Sequence, residues 1–391
     1  MAQNLPILTM PSQTVTQTLE ISVFNRIESA ISEAGGWLPF DRFMELALYA
    51  PGLGYYANDL RKFGLMQAGG SDFVTAPELT PLFGRTLARQ VAQALQQTQT
   101  TEIWEFGAGS GALAAQLLGA LEKLGQPVTR YTIVDVSSSL RQRQQEALAA
   151  FGDIVHWANH LPDPMQGVVV GNEVLDAMPV KLLARVKGNW YERGVVLKSK
   201  HASEPAFDWQ DRPTALRPPL AIAGEHDYLT EIHPQAEAFI STLAQKLNSS
   251  LNNGKGGGAA IFIDYGFPEG EYFHPQRYMG TVMCHQGHQA DGDPLVQVGL
   301  KDITAHVNFT GVALAAQEEG LSTLGYTSQG RFLLNCQLHE ALMDADLANR
   351  ANALKLINEH EMGELFKVIA FCTGEPWDAL GFAAGDRTHT L

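Results

Sequence analysis

Glu105-Phe106-Gly107-Ala108-Gly109-Ser110-Gly111 lies where a short apolar run, Ile103 to Phe106, gives way to a helix-forming stretch from Ala112. Glycines at such a junction let backbone approach a ligand closely, and the helix behind offers unpaired N–H groups. Asp135 closes the next apolar run, Tyr131 to Val134, where a carboxylate can accept both hydroxyls of a ribose. Two cofactors fit this frame. With Ala112 in the third small position the loop satisfies the dinucleotide pattern G-x-G-x-x-A. Gly111, however, makes the spacing G-x-G-x-G, and Glu105 would repel a pyrophosphate while suiting the cationic end of an amino-acid-bearing cofactor. No Tyr is followed four places later by Lys, so one common dehydrogenase pair is missing. S-adenosylmethionine is the favoured cofactor, and a nicotinamide-dependent oxidoreductase is the alternative.

A second constellation, Gly171-Asn172-Glu173-Val174-Leu175-Asp176-Ala177-Met178-Pro179, follows the apolar run Val168 to Val170. In a doubly wound sheet the carboxyl ends of strands line the ligand crevice, which would bring Asn172, Glu173 and Asp176 to it together. Two carboxylates beside a transferred methyl group suit a guanidinium acceptor. They can hold it by bidentate bonds, draw its charge away from the attacking nitrogen, and take the departing proton. The plainer reading makes Asp176 the N-cap of a following helix and leaves Glu173 solvated. Farther on, Cys284, His285, His288, Asp291 and Asp293 crowd into ten residues, with His274 and His306 on either side. Their spacing matches no zinc pattern, so a substrate-facing loop is expected there and no metal site is assigned. His339-Glu340 and His360-Glu361 lack the second His of a zinc-protease helix and read as surface residues. Tyr55, Tyr56 and Trp104 read as packing aromatics.

The elements needed to position these groups are legible as alternating runs. Strands are expected at 103–106, 131–134, 154–155, 168–170, 261–263 and 366–371, with helices at 112–124 and 140–151 between them. Near-continuous apolar strands separated by helices mean a mostly parallel sheet covered on both faces. Ile21, Phe24, Ile27 and Ile31 recur at helical spacing ahead of Gly35-Gly36, a second short helix begins near Pro39-Asp41, and a third follows Thr80-Pro81. Leu182 to Lys198 reads as a hairpin around Lys187-Gly188-Asn189, and the Pro-rich residues 200–222 as a surface insertion. Helical patterns return at 312–319 and 332–358. The expected organisation is an N-terminal helical and lid region over 1–100 and an α/β domain over 101–391, with a hairpin and loop insertion at about 182–230.

Composition narrows the setting. The chain has 391 residues, 27 Lys and Arg against 42 Asp and Glu, and a formal charge of −15. That balance argues against nucleic-acid partners. Three widely spaced cysteines suggest a reducing compartment, no apolar run approaches a membrane span, and the N-terminus lacks a secretory or transit pattern. A cytoplasmic enzyme is expected.

Several stretches together are similar to one family. They are Phe43-Met44-Glu45-Leu46-Ala47-Leu48-Tyr49 with Gly54-Tyr55-Tyr56, Asp72-Phe73-Val74-Thr75-Ala76-Pro77-Glu78, and Glu105 to Gly111. Asn172 to Pro179, Ile263-Asp264-Tyr265-Gly266 and Asp302-Ile303-Thr304-Ala305-His306-Val307 complete the set. The chain resembles the MidA family of S-adenosylmethionine-dependent methyltransferases, bacterial relatives of a mitochondrial complex I assembly factor that dimethylates an arginine of a complex I subunit. The likeness runs from about Ile21 to Phe371. It implies an α/β, Rossmann-like class I methyltransferase sheet with helices on both faces, an N-terminal helical region and insertions. By the same likeness Glu105, Gly107, Gly109 and Gly111 would hold the methionine end of the cofactor and Asp135 its ribose. Thr75, Pro77 and Glu78 would form a lid or further wall. Asn172, Glu173 and Asp176 would be catalytic, with Asp264, Tyr265 and His306 on the substrate side. The family often has Gly where this chain has Ser71, which bears on the lid's backbone. The partner implied is an arginine-bearing protein. A non-catalytic assembly factor that keeps the fold as a scaffold is a further alternative, against which intact Asp135, Asn172 and Glu173 argue.

Overall fold

The computed structural model describes residues 13–58, 75–135, 138–198, 206–252, 256–287 and 289–391. Its main sheet runs in the order Ser322–Ser328, Phe366–Cys372, Gly258–Phe267, Gly167–Asn172, Glu102–Phe106, Arg130–Val134, Val155–Ala158, with Val307–Asn308 added beside the end of Gly258–Phe267. Phe366–Cys372 pairs antiparallel with both neighbours, and the pairings from Gly258–Phe267 to Val155–Ala158 are parallel. The central strands are largely apolar because both of their faces are covered. Ile103, Ile133, Val168, Val170, Ile261 and Val368 pack against the helices Leu82–Thr98 and Ala112–Lys123. Alternate residues, including Trp104, Val169, Ala260, Phe262 and Ile369, pack against Pro234–Asn252 and Phe309–Glu318. This two-residue alternation between two buried faces is what the near-continuous apolar runs encode.

Chain order reverses beside Glu102–Phe106. The two strands that follow it in sequence lie on one side, and Gly167–Asn172 lies on the other. Such a switch opens a crevice at the carboxyl ends of the central strands, the place where ligands bind in open α/β sheets.

A second, antiparallel sheet of five strands stands where the sequence suggested a hairpin and a loop. The hairpin Lys181–Val186 and Asn189–Leu197 turns through Lys187 and Gly188, both with positive φ, as a two-residue turn requires. Tyr228–Ile232 pairs with its first strand, and Phe207–Pro213 and Leu38–Pro39 pair with its second. The helices Gln13–Glu33 and Phe40–Tyr49 lie on this sheet and share its core, in which Val23, Ile27, Phe40, Phe43 and Met44 meet Val180, Leu182, Val195 and Phe207. The expected helical tract 332–358 is three helices, Gln329–Asn335, Leu338–Met343 and Leu347–Ile357. It breaks at Gln337, whose φ is positive, and at Asp346, whose carboxylate caps the last helix by accepting from the Asn349 amide at 2.8 Å. Among the described residues no helix is long and apolar enough to cross a membrane.

Candidate active site

At the carboxyl ends of the central strands lies a cavity of about 740 Å³. Its first end is built by the junction of Glu102–Phe106 with the helix Ala112–Lys123. Gly107, Gly109 and Gly111 all have positive φ, so the backbone turns there in a conformation that side-chain-bearing residues resist. A Cβ on Gly107 would also stand 3.1 Å from Val174 Cγ2. Glu105, Gly107, Gly109 and Asp135 line the cavity together with Phe106, Leu140 and Phe239. Gly111 does not line it and caps the helix behind.

Glu105 is almost wholly buried, and its Oε2 accepts a hydrogen bond from the Tyr131 hydroxyl at 2.7 Å. Burial pushes its carboxyl up to about 8 and the Asp135 charge adds to the rise, against the pull of the Tyr131 hydrogen bond. Thr75, Pro77 and Glu78 form one wall of the cavity from the short helix Ala76–Leu79. That helix is tied down on two sides. Ser110 Oγ donates to the Glu78 carboxylate, Gln116 Nε2 donates to the Pro77 carbonyl at 2.7 Å, and Asn352 Nδ2 donates to the Leu79 carbonyl at 2.9 Å. The Ser71 and Asp72-Phe73-Val74 positions lie outside the described residues.

The second end is the loop after Gly167–Asn172. Glu173 holds a left-handed backbone (φ 54°), uncommon for a residue with a side chain, and its amide donates to the Ile263 carbonyl at 2.9 Å. Asn172 Nδ2 donates to Glu173 Oε1 at 3.1 Å. Asn172 Oδ1 is buried and has no hydrogen-bond partner among the described residues. Burial, then the neighbouring charge of Asp176, push the Glu173 carboxyl up to about 8. Asp176 rises to about 6 through burial, moderated by a hydrogen bond from the Tyr265 hydroxyl. No helix begins at Asp176, so the capping reading does not hold. The residue sits in a turn, and its carbonyl accepts from the Ala305 amide at 2.9 Å.

Asp264 and His306 are placed apart from the cavity, and Tyr265 reaches it only through Asp176. The strand Gly258–Phe267 continues past Asp264, whose Oδ2 accepts from the backbone amides of Val174 and Leu175 at 3.1 and 2.8 Å. Asp264 therefore holds the acidic loop from beneath. His306 packs its ring between Tyr265 and Phe267, and burial lowers its pKa to about 4, helped by the charges of Arg277 and Lys367.

Three groups to which the sequence assigned no part in the site line the same cavity: Tyr49, Asp302 and Tyr56, expected only as a packing aromatic. Tyr56 donates to Asp302 Oδ1 at 2.7 Å, Tyr49 donates to the Ala177 carbonyl at 2.8 Å, and the two rings stack 5.5 Å apart. The Phe43 to Tyr49, Gly54-Tyr55-Tyr56 and Asp302 to Val307 stretches held the available signal. Cys284, His285 and Asp291 belong to the neighbouring three-stranded sheet, Asp293 lies just after its strand Gln289–Asp291, and none of the four lines the cavity. Asp302, on that sheet's next strand, does. Asp291 instead pairs with the buried Lys301 at 2.7 Å. Among the described residues no group of three or more His, Cys, Asp or Glu is placed to hold a metal, and His288 lies outside them.

The sequence profile of a family of S-adenosyl-L-methionine-dependent methyltransferases matches residues 86–327. A solved chain from Burkholderia thailandensis, bound to S-adenosyl-homocysteine, is 47% identical with a TM-score of 0.90, covering 98% of this chain and 100% of that one. The "Protein arginine methyltransferase NDUFAF7, mitochondrial" of Danio rerio is 26% identical over 388 residues, 90% of this chain and 87% of its own. Its Drosophila melanogaster homologue is 28% identical over 381 residues, 87% and 82% of the two chains.

Proposed function

From the premise that this chain belongs to the MidA-type family of S-adenosylmethionine-dependent methyltransferases, we propose that its methyl acceptor is an arginine side chain of a partner protein. Family membership sets aside the nicotinamide reading of the glycine loop. The residues present fit the cofactor. A side-chain-poor turn runs between a buried acid, Glu105, able to meet an ammonium, and a strand-end acid, Asp135, suited to a ribose. When bound, the cofactor supplies an electrophilic methyl group on a sulfonium.

The observation that carries the acceptor assignment is the chemistry of the opposite wall. Asn172 Oδ1, Glu173, Asp176 and Asp302 line it or lie within it, and each offers an acceptor. Among the described residues the cavity's only cationic lining group is Arg42, which is ion-paired to Glu45. A surface of acceptors and crowded carboxylates complements a group made of donors alone, and guanidinium carries five N–H donors and a permanent charge. Glu173 and Asp176 would hold the guanidinium and localise its charge away from the attacking nitrogen. Glu173, the more basic of the two, would take the proton that leaves. Placement by Asn172 and the Tyr49–Tyr56 stack would do most of the remaining work. The relatives named as arginine methyltransferases support the same reading, as does the resemblance to a factor acting on a complex I subunit, so the proposed partner is a subunit of that type. Three buried free thiols support a reducing, cytoplasmic setting.

The test is Glu173→Gln. Label transfer from S-adenosylmethionine to the arginine-bearing partner, read by methylarginine analysis, should fall about 100-fold or more. Calorimetric affinity for S-adenosylhomocysteine should stay within about twofold of the parent, since that wall does not hold the cofactor. Transfer at the parental rate in the variant would remove Glu173 from the mechanism.

A further inference from the structure

The helix Ser138–Ala147 is polar nearly all round, and its buried positions Leu140 and Gln144 continue at four-residue spacing to Leu148 just past its end. A hydrophobe is the expected occupant of the middle position. Gln144 is instead completely buried, and burying an amide is costly unless its donors and acceptor are met. Here both ends are met. Trp157 Nε1 donates to Gln144 Oε1 at 2.9 Å, and because an indole N–H can only donate, this contact fixes which way the amide faces. Nε2 then donates to Asp135 Oδ2 at 2.9 Å and to the Gly109 carbonyl at 3.0 Å. The helix also presses close to the glycine turn, since a Cβ on Gly111 would stand 3.5 Å from Gln144 Cα.

We propose that Gln144 is a positioning residue for the cofactor, locking the Asp135 carboxylate to the glycine turn so that both ends of the ligand meet one preset frame. Gln144 does not line the cavity, and it acts through Asp135 and Gly109. One side-chain amide spans two loops that leave different strands, Glu102–Phe106 and Arg130–Val134. Its own orientation comes from a third strand, Val155–Ala158. Its donor holds one oxygen of the Asp135 carboxylate by a charge-assisted hydrogen bond. The inference rests on the placement of the cofactor's ribose at Asp135.

The experiment measures S-adenosylhomocysteine binding by calorimetry in the full chain, for Gln144→Met, Asp135→Asn and the double variant. Gln144→Met keeps size and removes the three hydrogen bonds. It should weaken binding about tenfold or more, by the worth of a hydrogen bond to a charged group. In the Asp135→Asn background the same substitution should cost less than about threefold, because its partner is already altered. A residue that only packed would give equal losses in both backgrounds. Trp157→Phe keeps the ring packing and releases the amide, so it should reproduce part of the loss. It also serves as the reading if Gln144→Met does not fold. Unchanged affinity in Gln144→Met, or losses that multiply in the double variant, would overturn the proposal. Unchanged affinity in Asp135→Asn alone would instead overturn the ribose placement.

Discussion

Cofactor affinity should rise with pH between 6 and 8, and Glu105 sets the size of the effect. In the ligand-free cavity its carboxyl sits at about 8, raised chiefly by burial and further by Asp135. Pairing with an ammonium requires the carboxylate, so binding at neutral pH must release the proton that the free protein holds. The sign follows directly. The bound state carries fewer protons than the free state, so raising the pH favours binding. With that pKa the ionised fraction of the free protein is about 1% at pH 6, about 9% at pH 7 and about half at pH 8. Affinity for S-adenosylhomocysteine should therefore rise close to tenfold from pH 6 to 7 and about fivefold more by pH 8. The protonation penalty is about 1.4 kcal/mol at pH 7. Calorimetry in buffers of different ionisation enthalpy should show about 0.9 protons released per ligand at pH 7. In Glu105→Gln the amide cannot ionise, so the slope should vanish and affinity at pH 8 should fall about tenfold or more. A Kd that is flat from pH 6 to 8 in the parent, or the same slope in Glu105→Gln, would refute the pairing.

Two other substitutions separate contact from support. Asp302→Asn should raise the KM for the acceptor protein about tenfold, by removing one anion from the acceptor wall, and should leave S-adenosylhomocysteine affinity unchanged. Steady-state kinetics with an unaltered KM would exclude Asp302 from the acceptor pocket. Asp264→Ala strips the acceptor from the Val174 and Leu175 amides. It should lower global stability by about 2 kcal/mol in urea unfolding, and a variant as stable as the parent would show that the loop is held by other means.

The parts of this site that were legible in the sequence are those whose chemistry and position are coded together in a few adjacent residues. The run Ile103 to Phe106 followed by three glycines announces strand, turn and helix at once, because apolar strand and glycine turn have strong local preferences. The same holds for Asp135 and for the Asn172 to Pro179 loop, each fixed at a strand end by the apolar run before it. The resemblance implied a substrate-side place for Asp264, and the structure sets it apart from the cavity for a definite reason. Its strand continues through Phe267, paired on one side with Phe366–Cys372, so Asp264 lies inside the sheet and turns its carboxylate to the backbone of the acidic loop.

What could not be read is chemistry assembled from distant segments. Tyr56 meets Asp302 across 246 positions and Tyr49 meets Ala177 across 128. Nothing local marks either tyrosine as more than a packing ring, because a buried Tyr needs a hydrogen-bond partner wherever it lies. The second sheet was hidden by the same non-locality. Leu38–Pro39 is two residues long, and Phe207–Pro213 carries two aspartates, an arginine and a proline, so neither resembles a strand until Asn189–Leu197 offers both of them a partner. That pairing matters for the site, because it fastens the helix carrying Tyr49 to the hairpin that leaves the acidic loop at Lys181. The sheet, of which the sequence showed a hairpin and a loop insertion, is therefore the physical link between Tyr49 in the cavity wall and the acidic loop that it faces. Gln144 shows the same logic at the other end of the cavity. In a run of Arg and Gln it looks solvated, and only the positions of Trp157, Asp135 and Gly109 reveal why a polar residue stands in an apolar stripe.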